Sequence, residues 1–122
     1  TALVENASSF TASRLPGAFS LHPNVPNPFN PSTTIGYTVP EGSGGGVRGD
    51  GGTSRERKVS LEVFNLRGRL VKTLVSGLHV PGCYAVNWEG TNEAGHQLPS
   101  GVYFYRMKAG DFMQTRKMVL LK

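Results

Sequence analysis

The sequence predicts an all-β protein, a β-sandwich of about seven strands with an extended N-terminal arm. Three observations carry that expectation. Apolar and polar residues alternate at a period of two along several short stretches, glycine and asparagine punctuate the gaps, and no segment carries a 3.6-residue apolar stripe. A chain of 122 residues, 38% apolar and with 16 glycines, has room for one domain with a modest core.

Residues 1–21 are rich in Ser, Thr and Ala and carry apolar residues at Leu3, Val4, Phe10, Leu15 and Phe19. Such a stretch is too polar to form a core alone and too β-prone for a purely flexible linker, so it reads as an extended arm or linker. The sandwich is expected over residues 22–122. It opens on Asn27-Pro28-Phe29-Asn30-Pro31. Proline fixes φ and extends its predecessor, Asn side chains satisfy turn amides, and Phe29 is placed to plug one end of the sandwich.

From Thr33 the strands follow in order. Ile35, Tyr37 and Val39 alternate with Thr34, Gly36 and Thr38, and Pro40 closes that strand. Val59, Leu61 and Val63 point one way, and Lys58, Ser60 and Glu62 the other. Arg67-Gly68 turns the chain into Leu70–Val75; Tyr84, Val86 and Trp88 form the next inward set. Val102–Lys108 and Phe112–Leu121 make a last hairpin across Ala109-Gly110-Asp111. Trp88, Tyr103 and Tyr105 are expected as core aromatics of opposing sheets.

Residues 42–57, GSGGGVRGDGGTSRER, have almost nothing to bury and read as a loop insertion. Gly44, Gly46 and Gly49 spell G-x-G-x-x-G, but no helix follows to hold a phosphate, so the match is set aside. Arg48-Gly49-Asp50 matches a common adhesion tripeptide, and Asn6-Ala7-Ser8 a glycosylation sequon; neither is expected to act.

Catalytic chemistry has no visible constellation. His22, His79 and His96 fall in separate Gly/Pro-bounded turns without metal-ligand spacing, and a triad needs partners within hydrogen-bond reach. Cys83 is the one cysteine; no internal disulfide is possible, and a buried or half-buried small side chain is expected. Glu89, Asn92 and Glu93 offer oxygens on one loop, but the EF-hand pattern is absent. The expectation is therefore no enzyme, no catalytic residue, no cofactor and no metal. The net charge of +5 suits solubility or attraction to an acidic surface such as anionic lipopolysaccharide. It carries no aromatic–basic platform for nucleic acid, and no apolar run reaches the ~20 residues that span a bilayer.

Five segments in register resemble a known family: VPNPFNPSTTIGY at 25–37, VFNLRGRLVKT at 63–73, WEGTNEAG at 88–95, SGVYFYRMKAGDF at 100–112 and the closing KMVLLK. Together they resemble the C-terminal sorting domain of proteins exported by the type IX (Por) secretion system. That domain is related to the immunoglobulin-like domain of flagellar hook-capping proteins. Glu89 and Asn65 depart from the pattern, which commonly has Asp at both places, and residues 40–58 are longer and richer in glycine than usual.

The resemblance implies an immunoglobulin-like sandwich that sorts and attaches its carrier to the cell surface without catalysis. It also implies a secreted or cell-surface location, with secretion machinery or the outer-membrane surface as partner. Recognition is expected at the last strand, Lys117, Met118, Val119, Leu120, Leu121 and Lys122, through unpaired backbone groups steered by Arg116, Lys117 and Lys122. Asn27 to Pro31, Trp88, Gly101 and Tyr103 are expected to be structural. Thr1 in place of Met implies a removed leader or the tail of a longer protein. The alternative is an extracellular filament in which Phe10, Leu15 and Phe19 of the arm add to the sheet of another copy.

Overall fold

The computed structural model describes residues 18–40 and 57–122. They form seven strands: β1 (Ser20–Leu21), β2 (Thr33–Val39), β3 (Arg57–Phe64), β4 (Leu70–His79), β5 (Gly82–Trp88), β6 (Gly101–Ala109) and β7 (Phe112–Leu120). One sheet has the order β1-β2-β5 and the other β4-β3-β6-β7, with every neighbouring pair antiparallel. The all-β sandwich predicted from the alternation is therefore the fold. Phe10, Leu15, the sequon and the RGD and G-x-G-x-x-G matches lie outside the described residues.

The alternation also predicts the core. Ile35, Tyr37 and Val39 from β2 face Val59, Leu61 and Val63 from β3, all buried, together with Trp88, Tyr103, Tyr105, Met107, Met118 and Leu120. Each such side chain contributes on the order of 1.5–3 kcal/mol when fully removed from water. Tyr84 and Val86 point inward but stay half-buried, because β5 is an edge strand of the smaller sheet.

Three boundaries differ from expectation. Ser20 and Leu21, assigned to the arm, pair with Thr38 and Tyr37, and Leu21 is buried. Arg57, assigned to the Gly-rich insertion, opens β3 opposite His79. His79 is consequently a strand residue and not a turn residue. β3 supplies the ladder, from Arg57 opposite His79 through Val59 opposite Gly77, that carries β4 to this end, and a Cβ at Gly77 would meet nothing within 4 Å.

Sheet edges are handled individually. β4 carries irregularities opposite Leu61/Glu62 and Val63/Phe64, which leave Leu74 and Val71 without ladder partners and turned onto the core. Glu93 caps this edge from the facing loop: its amide donates to the Val71 carbonyl and its Oε2 accepts from the Thr73 amide at 2.6 Å. β7 is closed differently, by the Asn-Pro corner described next.

Candidate functional site

Parts of the segments that carry the family resemblance, scattered along the chain, meet at one end of the sandwich. Thr33 pairs with Trp88, Gly101 with Leu120, and Phe29 forms a parallel bridge to Leu120. The Phe29 and Trp88 rings lie 5.6 Å apart, and Trp88 meets the edge of Tyr103 at 5.9 Å. Trp88 Nε1 donates to the Thr91 carbonyl, so its one polar atom is satisfied within the adjoining loop. Gly90 packs beneath: with φ of +71, a Cβ there would sit 3.3 Å from both Leu120 Cδ2 and the Pro31 carbonyl.

The Asn-Pro corner works as a clasp on the last strand. Asn27 Oδ1 accepts from the Val119 amide, the Phe29 amide donates to the Val119 carbonyl, and the Leu121 amide donates to the Phe29 carbonyl. The Lys122 amide donates to Ser100 Oγ. Phe29 is buried and plugs this end, while Pro28, Asn30 and Pro31 line its exposed surface. The expectation of unpaired backbone groups is corrected for Val119, Leu121 and Lys122. The outward groups of Val119 and the amides of Leu121 and Lys122 are already bonded, and Met118 and Leu120 are core residues. What this stretch presents outward is side chain: Lys117, Leu121 and Lys122 are exposed and Val119 is half-buried.

Two turn devices recur here that the sequence reading missed. Asn65-Leu66-Arg67-Gly68-Arg69 and Asn92-Glu93-Ala94-Gly95-His96 close the same way. In each, the Asn side-chain oxygen accepts from the amides two and four residues on, and the glycine adopts φ of +85 or +87. The carbonyl and amide of each Asn are also bonded within the turn. Likewise Tyr84 and Tyr103 each donate a phenolic proton to the carbonyl four residues upstream, Val80 and Pro99, at 2.6 and 2.8 Å. The signals were present as a repeated N-x-x-G-x and a repeated G-x-Y.

Of Glu89, Asn92 and Glu93, whose oxygens share one loop, two are used within this architecture. Asn92 Oδ1 and Glu93 Oε2 are engaged with backbone amides, and among the described residues no three His, Cys, Asp or Glu converge. The histidines stay apart. His22 lies near Ser20, His79 Nε2 meets the Tyr37 hydroxyl at 2.8 Å, and His96 sits on an exposed turn. Cys83 is half-buried, and burial pushes its thiol up from its ordinary value, away from nucleophilic use.

At the opposite end, Phe19 stacks on Phe112 with ring centroids 5.4 Å apart, beneath the Arg57 guanidinium. Phe19, expected to contact another copy, is half-buried, with one face of its ring on Phe112; β1 pairs with β2 on one side and is an edge of its sheet.

Compared with known proteins, residues 36–111 match the FlgD Ig-like domain. The chain belongs to that family. No curated protein matches it. Among solved structures, this Ig-like domain is similar to dimeric latent PorU from Porphyromonas gingivalis, at 18% identity over 89% of the chain and a TM-score of 0.62. It is also similar to PorZ of the same organism, described as an essential bacterial surface component of the type-IX secretion system, at 17% identity over 86% and a TM-score of 0.52. The chain spans about a tenth of either, 10% and 12% of their lengths. Among the described residues no helix is long and apolar enough to cross a membrane.

Proposed function

We propose that this Ig-like domain is a non-catalytic sorting and cell-surface attachment module of type IX-type secretion, acting outside the cell with the secretion machinery as its partner. The five resembling segments support this reading, as does the shared fold with PorZ, a surface component of that system. The observation that carries it is the construction of the last strand. Met118 and Leu120 are buried, so the segment forms only when the sandwich has folded. Lys117, Leu121 and Lys122 remain outside for a receptor to read. An exporter that reads them selects folded cargo.

That construction decides the experiment. Deleting Lys117–Lys122 would remove two core side chains and report on folding alone. Instead, a reporter carrying this domain is expressed in a type IX-competent host, with Lys117→Glu and Lys122→Glu introduced together. The expected result is loss of surface display with unchanged thermal stability. Display at the wild-type level by this folded double variant would sink the proposal.

A further inference from the structure

A groove of about 330 Å³ separates the β3–β4 hairpin tip from the start of β6. One wall is Asn65, Leu66, Arg67 and Arg69; the other is Ser100, Gly101, Val102 and Tyr103. Both walls are fixed. Asn65 Oδ1 holds the amides of Arg67 and Arg69, so the two arginines leave one rigid turn two positions apart. Tyr103 is buried and tied by its hydroxyl to Pro99, and the Lys122 amide holds Ser100 at the rim. The space over Gly101 is open, since a Cβ built there meets nothing within 4 Å.

The lining contains two guanidiniums and no carboxylate, and among the described residues neither arginine is in a salt bridge; the pair found there is Arg106–Glu62. Within the lining, beside the arginines, Leu66 is 69% exposed and Val102 is half-buried, so the groove offers apolar as well as cationic surface. Guanidinium forks match carboxylates in a bidentate way, and an arginine beside apolar side chains is the composition of binding anchors. A hydrated phosphate–sugar surface would use the charges and leave the apolar lining idle. We infer that this groove binds an extended peptide segment in which acidic and apolar residues alternate, its carboxylates on Arg67 and Arg69 and its apolar side chains on Leu66 and Val102. The inference stands independently of the export reading, since it concerns what the groove holds and not where the domain travels.

The probe is a synthetic peptide of alternating Glu and Leu, titrated into the full chain by fluorescence anisotropy. Saturable binding is expected, weakened about tenfold or more by Arg67→Gln or Arg69→Gln, the loss typical of one charge-assisted contact. Lys58→Gln and Lys108→Gln, exposed and remote from the groove, should leave it unchanged. A peptide with Gln in place of Glu should bind at least about tenfold more weakly. Absence of saturable binding would overturn the assignment. So would equal losses from the Lys58 and Lys108 controls, or capture by phosphatidylglycerol vesicles with none by the peptide.

Discussion

Replacing Phe29 by Ala tests whether the Asn-Pro corner is a structural clasp or a surface decoration. The side chain is 1% exposed and its ring packs on Trp88. Removing a fully buried Phe costs about 3–5 kcal/mol, the lost aromatic pair included. A domain holds only about 5–15 kcal/mol in total, so this is a large share. At roughly 4–8 °C per kcal/mol, the melting temperature should fall by about 12–40 °C. Trp88 is the only tryptophan, so its emission during urea unfolding reads the transition at the perturbed end itself. Hydrogen exchange supplies a second, local readout. The Val119 amide depends on Asn27 and the Leu121 amide on Phe29, and both should lose protection before the β6–β7 ladder does. Phe29→Leu should recover most of the stability. If Phe29→Ala cost less than about 1 kcal/mol and left both amides protected, the clasp account would be wrong.

Three further outcomes follow from the same geometry. Asn65→Ala and Asn92→Ala should each cost about 0.5–2 kcal/mol by analogy with helix caps, whereas Asp at either position keeps the acceptor and should cost less, as read by urea midpoints. Gly90→Ala should destabilise more than Gly95→Ala: both adopt left-handed backbone, at a strain of about 1–2 kcal/mol, but only Gly90 adds contacts at 3.3 Å, so the difference in urea midpoint isolates the packing. Tyr37, Tyr84, Tyr103 and Tyr105 all have phenols raised above 10.0, chiefly by burial. The unfolded chain then releases protons first, so stability present below pH 10 should decline as pH rises through the folded values. Denaturation midpoints across that range should fall less steeply for Tyr37→Phe.

Much of this fold was legible because a two-residue period leaves little choice. Val59, Leu61 and Val63, or Ile35, Tyr37 and Val39, face a core in either sheet, and the β6–β7 hairpin is announced by Ala109-Gly110-Asp111. Strand ends were less legible, because the ladder that extends β4 to His79 comes from β3 and leaves no mark on Gly77-Leu78-His79 itself. The site was legible as a list of segments and illegible as a place. Nothing local in VPNPF says that Phe29 will bridge Leu120, and nothing in KMVLLK says that the amides of Val119, Leu121 and Lys122 are spoken for. The roles of Asn65 and Asn92 lay in a repeat that becomes visible only when the two turns are set side by side. Arg67 and Arg69 read as ordinary surface charge until Ser100–Tyr103 faces them across a groove.

The directions of the first and last strands have a mechanical consequence. β1 and β7 both run toward the tryptophan end, since each is antiparallel to a partner that runs away from it. A pull that drags Lys122 outward at that end and Ala18 outward at the other therefore acts along both strand axes. The β6–β7 ladder, the Phe29 clasp and the Arg116–Leu21 bond at 2.7 Å are then loaded in shear, many bonds at once. They are not peeled one by one. A domain strung this way resists tension along its length better than across it.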